Sequence, residues 1–177
     1  MACIVTKGRT EPCKDVVGGI NAVYFADYGS LGTITYDGTN SDVVDGFGET
    51  PTWYKYVVKG ASSFEQTFNS SRENGTIFYE QTLNVSLKKM SKQSHQELKL
   101  LANGMPHVIV EDNNGNKFLM GLEYGASVSG GTIVTGTAMG DLSGYTLTLT
   151  AQEKIPANFV DADITPSTSN IDDLDGE

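Results

Sequence analysis

The sequence predicts a mainly β protein, a β-sandwich or barrel with one flanking helix. Short runs of β-branched and aromatic residues alternate with turn dipeptides such as Asp37–Gly38 and Asn74–Gly75. Glycine is abundant, at 20 of 177 residues, and one segment alone carries a helix-capping signature. A chain of this length can bury a sizeable core as a single domain.

Residues 1–19, punctuated by glycine and proline, are expected to form an N-terminal arm. Five strands are then predicted, at Ile20–Ala26, Leu31–Tyr36, Tyr54–Lys59, Ser63–Asn69 and Thr76–Leu87. Between the second and third strands, Thr39–Thr52 is expected to be a long polar loop, and loops of this length are often functional. In the fifth strand apolar and polar residues alternate, which indicates one buried and one solvent-facing side.

The helix is predicted over Ser94–Asn103. Ser94 and Glu97 have the spacing of a capping box, and Gly104 followed by Pro106 ends the segment. Four strands are predicted after it, at His107–Glu111, Lys117–Gly121, Thr132–Gly136 and Ser143–Gln152. The β-domain is therefore expected to span 20–154, and residues 155–177 to form an acidic C-terminal extension.

The charge of the chain bears on its partners. Its formal net charge is −10, with 12 Lys and Arg against 22 Asp and Glu, so specific binding to nucleic acid or anionic membranes is disfavoured. Without an export signal or a membrane-length apolar stretch, we expect a soluble product made in a cytoplasm, without membrane insertion. Cys3 and Cys13 could form a disulfide in an oxidising medium or remain thiols in a reducing compartment.

The sequence predicts no enzyme, no cofactor and no metal site. His95 and His107 lack metal-ligand spacing to each other or to cysteine. The acidic turns do not match a calcium-binding loop, and there is no nucleophile elbow, phosphate loop or dinucleotide fingerprint.

Two surface features have alternative interpretations. Thr82, Asn84 and Ser86 alternate along one strand and Thr146, Thr148 and Thr150 along another. Such a hydroxyl-rich face is either an ordinary solvated sheet or the wall of a channel. The aromatic group Trp53, Tyr54 and Tyr56 either packs in the core and rim or forms a platform for sugar rings.

Several segments follow one another in a distinctive order: Ser62–Glu65, Ser71–Gln81, the capped helix, Val108–Gly115 and Thr135–Leu149. In this order, across Ala61–Val160, the chain resembles the major tail tube proteins of tailed bacteriophages. The segment Cys3–Tyr28 is similar to the arm that opens such proteins. The same architecture occurs in the inner tubes of other injection machines, so the resemblance leaves both kinds of tube open.

The resemblance implies a protomer of which six copies form a ring with a continuous inner β-barrel. Rings would stack into a tube through which DNA passes, without specific binding, during ejection into the host. The candidate lumen residues are Glu80, Thr82, Asn84, Ser86, Thr146, Thr148 and Thr150. The candidate contacts between rings are Cys3, Cys13, Asp42, Asp45, Glu49, Trp53, Asp161 and Asp163.

The implied location is the virion tail, assembled in the host cytoplasm. Implied partners are other copies of the chain and the tape measure, terminator and baseplate proteins, with a sheath if the tail is contractile. Two alternatives remain open: a capsid decoration or neck protein, and a β-sandwich module that binds host glycans through Trp53.

Overall fold

In a computed structural model, the residues described are 5 and 7–169. They contain eleven strands and one helix. In chain order these are β1 (Ile20–Ala26), β2 (Ile34–Tyr36), β3 (Val43–Phe47), β4 (Tyr54–Val57), β5 (Ser63–Ser71), β6 (Thr76–Lys88), α1 (Lys92–Asn103), β7 (His107–Asp112), β8 (Lys117–Met120), β9 (Ser127–Val134), β10 (Gly144–Glu153) and β11 (Asn158–Val160).

The strands form two sheets, which confirms the mainly β prediction. The large sheet has seven strands in the order β2-β3-β11-β8-β7-β1-β4, and the small sheet has four in the order β5-β6-β10-β9. Neighbouring strands are antiparallel except β3 and β11, which are parallel. Neither sheet closes into a barrel within the described residues.

The main core lies between the two sheets. Val23 and Val108 of the large sheet and Leu83 and Leu149 of the small sheet are completely buried in one hydrophobic cluster. From helix α1, Leu101 packs against this cluster, and Leu98 is buried at 7% exposure. The alternation predicted for β6 is therefore confirmed, because Leu83 and Val85 face this core.

A second core lies on the other face of the large sheet, which curls around Trp53. Trp53 is 2% exposed, and its ring lies 5.7 Å from that of Phe47 at the far side of the sheet. Ile109 and Leu119 from the middle strands complete this cluster. An isolated parallel β-bridge between Trp53 and Pro166 brings the segment that follows β11 against the residue that precedes β4.

The helix begins two residues before the predicted start. Ser91, with extended backbone angles, is the N-cap, and its Oγ accepts a hydrogen bond from the N–H of Ser94 at 3.0 Å. The capping box at Ser94 and Glu97 is therefore wrong, although the predicted end at Asn103 is correct. Both serines are good caps, and tertiary contact selects Ser91, whose carbonyl accepts from the hydroxyl of Tyr145 at 3.3 Å.

Two segments expected to be irregular contain strands. The predicted loop Thr39–Thr52 includes β3, because Val44 is buried and Phe47 packs against the second core. The acidic extension predicted from residue 155 includes β11, which lies between β3 and β8 and buries Val160. The described fold therefore continues past the boundary predicted at 154.

Two predicted strand boundaries also change. The strand expected at Thr132–Gly136 is longer and starts earlier, as β9, because its ladder with β10 extends through a glycine- and serine-rich segment. The strand expected at Leu31–Tyr36 is reduced to β2, because Leu31 turns into the second core, where it is 3% exposed.

Candidate functional site

The seven candidate lumen residues lie together on the outer face of the small sheet. The β6–β10 ladder places Ser86 opposite Thr146, Asn84 opposite Thr148 and Thr82 opposite Thr150. Glu80 follows on the same side of β6, opposite Gln152. The core residues of these strands occupy the alternate positions, so the fold separates a buried face from a hydroxyl-rich one.

The hydroxyl groups of this outer face bond to one another. The Oγ1 of Thr148 donates to the Oδ1 of Asn84 at 2.9 Å. The hydroxyls of Thr132 and Thr146 lie 2.5 Å apart across the β9–β10 ladder. Side chains that satisfy each other in this way leave few free donors or acceptors for a ligand.

The charge on the outer face is negative. Glu65 lies opposite Thr82 in the β5–β6 ladder and so shares the outer face with it. Glu80 lies on the same face of β6. On the strands of this face, the lysine is Lys88, which lies at the very end of β6. A surface with carboxylates, hydroxyls and no basic residue in its middle repels phosphate groups instead of binding them.

The small sheet has two open edges. β5 has nine residues and β9 has eight, and among the described residues each forms a ladder with one neighbour only. Long unpaired edges are templates for pairing with another chain, and soluble proteins usually shorten or cover them. Because the four strands alternate in direction, β5 and β9 run antiparallel to each other.

The candidate inter-ring contacts are only partly brought together. The parallel β3–β11 ladder brings Asp42, Asp45 and Asp161 to the same region, and all three are exposed, as are Glu49 and Asp163. Cys13 is exposed in the N-terminal segment, and Cys3 lies outside the described residues.

Trp53 is the exception among these candidates. At 2% exposure it lies inside the second core and offers no surface to another ring or to a glycan. Both functional predictions for Trp53 are therefore corrected to core packing. Of its aromatic neighbours, Tyr54 is 44% exposed, whereas Tyr56 packs edge-on against Phe25 with ring centroids 5.1 Å apart.

A buried polar network, which the sequence analysis did not predict, holds the turn at residues 121–125. The Nδ1–H of His107 donates to the carbonyl of Gly121 at 2.7 Å, and its Nε2 accepts from the N–H of Gly29 at 3.0 Å. Burial lowers the pKa of His107, although the bond to Gly121 acts in the opposite direction. Both ring nitrogens are used by the neutral imidazole, so the network is a structural clamp.

Glu153 holds the other side of this turn. Its Oε1 accepts from the N–H groups of Glu123 and Tyr124, each at 3.0 Å. Burial raises the pKa of Glu153 despite these two bonds, and its Oε2 has no partner among the described residues. The glycines at 121 and 125, both at positive φ, are the sequence signal that could have marked this turn.

The shortest carboxylate contact on the large sheet is also structural. The hydroxyl of Tyr24 donates to the Oε2 of Glu111 at 2.6 Å, and the amide of Asn21 donates to its Oε1 at 3.0 Å. Burial and Glu111 raise the pKa of Tyr24 far above neutrality, so this phenol stays protonated. In the part of the chain that the structure describes, no group of three or more His, Cys, Asp or Glu residues could hold a metal ion.

Comparisons with known proteins do not assign this chain to a family. Neither a scan against protein-family models nor a search of curated proteins finds a match. Across residues 5 and 7–169, no helix is long and apolar enough to cross a membrane.

Proposed function

We propose that this chain is a structural tail tube subunit that assembles into rings, with the outer face of the small sheet lining a channel for DNA. Its partners would be other copies of itself and the remaining tail proteins, and its location would be the virion tail. The observation that carries the proposal is the geometry of the small sheet, which combines two long open edges with a smooth, uncharged-to-negative outer face.

Strand direction favours ring closure. A rotation about a ring axis keeps each strand's direction along that axis, so β9 of one copy would meet β5 of the next in antiparallel orientation. With four alternating strands per copy, the ladder would continue around the ring without a parallel defect. Closure would also remove both open edges.

The size of such a ring suits DNA. Six copies would contribute four strands each. With strands about 4.8 Å apart and tilted by about 40°, the backbone barrel would be about 50 Å across. After side chains are subtracted, the lumen would exceed the width of a DNA duplex, and its acidic and hydroxyl groups would let the duplex slide.

Proline substitution in β5 tests the proposed pairing. Successive N–H groups of an edge strand point alternately to its partner and to the free side. Of Thr67→Pro and Phe68→Pro, one removes a bond to β6 and destabilises the chain, whereas the other removes an N–H from the free side. We expect the latter variant to fold with little loss of stability and to form no rings.

The readout is electron microscopy combined with thermal unfolding of the full chain. Wild type is expected to form hollow rings or stacked tubes as its concentration rises. If both proline variants form rings, the β5–β9 pairing is wrong. A wild-type chain that binds a preformed shell but never self-associates would instead favour the decoration or neck protein.

A further inference from the structure

The two ends of the small sheet carry opposite charge. Four exposed lysines gather where β6 ends and α1 begins: Lys59, Lys88, Lys89 and Lys92. A Cβ placed on Gly60 would lie 3.7 Å from the Lys88 Nζ, so the Lys88 side chain runs beside the turn that holds Lys59. We call this group the basic end.

The lysines of the basic end are free for an external partner. Among the described residues, none of these four lysines forms a salt bridge; the lysine that does is Lys154, which pairs with Glu123 at the opposite end of the sheet. The acidic residue of the neighbouring 135–143 loop is Asp141, whose Oδ2 already accepts from the N–H groups of Thr137 and Ala138 at 2.9 and 2.7 Å. The chain has a net charge of −10, so a group of four lysines is a local positive patch on a protein that is negative as a whole.

The opposite end of the small sheet is acidic. It carries Asp27 after β1, Glu73 in the β5–β6 turn and Glu123 after β8, all exposed. We call this group the acidic end. Arg72 and Lys154 are the basic residues there, and Lys154 is bound to Glu123 at 2.8 Å.

A groove of about 530 Å³ opens at the acidic end. Phe78, Met105 and Tyr124 line it and are 39%, 53% and 53% exposed. Glu153 also contributes to its wall, and this carboxylate, 2% exposed, has the oxygen without a partner. Lys154 of the same chain also lines the groove, and its Nζ lies 5.6 Å from the centroid of the Tyr124 ring. The wall therefore already accommodates the aliphatic stem and ammonium group of one lysine, and the rest of the groove is open to another.

We propose that the basic end of one copy docks onto the acidic end of a second copy. This inference rests on the proposed tube and specifies its stacking: successive rings meet head to tail, with lysines of one ring at the groove and carboxylates of the next. A second copy is the favoured occupant because the same chain carries both complementary surfaces at opposite ends of one sheet. Head-to-tail contacts of this kind continue indefinitely, as a tube requires.

Two substitutions on α1 form a matched test. Lys92 lies at the basic end, whereas Lys99, also exposed, lies seven residues along the same helix on nearly the same side. Lys92→Glu and Lys99→Glu make the same change in net charge. A twofold loss at each contact, modest for an exposed ion pair, becomes about sixty-fold when six contacts act together.

Sedimentation velocity and negative-stain microscopy of the full chain, at about 50 and 500 mM salt, give the readout. The proposal expects Lys92→Glu to form single rings with few or no tubes, Lys99→Glu to form tubes like wild type, and wild-type tubes to shorten at high salt. Equal tube formation by the two variants, with no salt effect, overturns it.

Two further outcomes are distinguishable. If wild type forms no rings at any concentration, the tube itself is wrong and the stacking falls with it. If Lys92→Glu lowers the unfolding temperature by more than about 2 °C, Lys88→Glu replaces it, since Lys88 is exposed at the end of its strand. Tubes of normal length from that variant overturn the proposed docking.

Discussion

Replacement of Trp53 by alanine should destabilise the fold and leave no specific binding defect. The side chain is 2% exposed and fills the space enclosed by the curled large sheet, against Phe47. Burying a tryptophan removes about 150–250 Å² from water, which at about 25 cal/mol per Å² is about 4–6 kcal/mol. Measured costs for removing a large buried aromatic side chain are about 3–5 kcal/mol.

A loss of this size should be easy to measure. For a chain of this length, each kcal/mol lowers the unfolding temperature by about 2–4 °C, so Trp53→Ala should lower it by about 6–20 °C. Circular dichroism during heating measures the unfolding temperatures of wild type and Trp53→Ala. Because the chain has a single tryptophan, wild-type fluorescence should also shift to longer wavelength on unfolding.

Tyr54→Ala is the matched control for Trp53→Ala. Tyr54 is the next residue and is 44% exposed, so its loss should cost about 1 kcal/mol or less. Unfolding of Trp53→Ala within about 2 °C of wild type would show that Trp53 is not a core residue. Loss of glycan binding in a fully folded Trp53→Ala protein would contradict core packing equally, because Trp53 would then have to be a surface residue.

Three other predictions concern the clamp, a close strand contact and the outer face. His107 is held neutral with a lowered pKa, so its contribution to stability is complete above about pH 6.5 and is lost as pH falls towards the lower folded-state pKa. His107→Gln should therefore flatten the acidic part of a curve of unfolding temperature against pH. An unchanged slope would exclude His107 as the source of that pH dependence. Gly144→Ala should cost about 2 kcal/mol or more by denaturant unfolding, because its Cβ would overlap the Leu87 carbonyl oxygen. Gly130→Ala, with open space around it, should change stability by about 0.5 kcal/mol or less. Equal costs would contradict the β6–β10 register. Tubes of Thr148→Lys should retain DNA in a low-salt filter assay, because the new lysine would face the lumen. Tubes of the control Thr35→Lys, which changes the exposed edge strand of the large sheet, should not retain it. Retention by neither variant would argue against a lumen at Thr148.

Glu153 should oppose His107 in the same pH experiment. Its pKa is raised by burial, so the folded state binds its proton more readily than the unfolded state does. Its effect on stability is therefore most favourable at low pH and declines as pH rises above the ordinary carboxyl range. Comparing Glu153→Gln with His107→Gln separates the two contributions.

Periodicity predicted the elements whose two faces differ. In β6 and β10, Leu83 and Leu149 alternate with Thr82 and Thr148, and this pattern was sufficient to place the seven candidate lumen residues on one side. The β7–β8 hairpin was also predicted, because Asn114–Gly115 marks its turn clearly.

The remaining elements depend on tertiary contacts that sequence patterns do not express. β3 and β11 are only five and three residues long, and each is a strand because it pairs with the other and with a neighbour in the large sheet. For Trp53 the sequence left both core packing and a surface platform open, and the curl of the large sheet places it in the core. The clamp on the 121–125 turn combines His107 and Glu153 with Gln81, whose Oε1 accepts from the N–H of Gly121 at 3.1 Å. These three residues are far apart in the sequence, so no local motif could show it.

The most direct test of the proposed tube is cryo-electron microscopy of the purified chain over a concentration series. We expect hollow rings, singly or in stacks, in which the inner wall is a continuous barrel made from the small sheets, with β5 of one copy beside β9 of the next. Compact monomers at every concentration would contradict the proposed tube, as would rings in which the face carrying Thr82 and Thr148 points away from the channel.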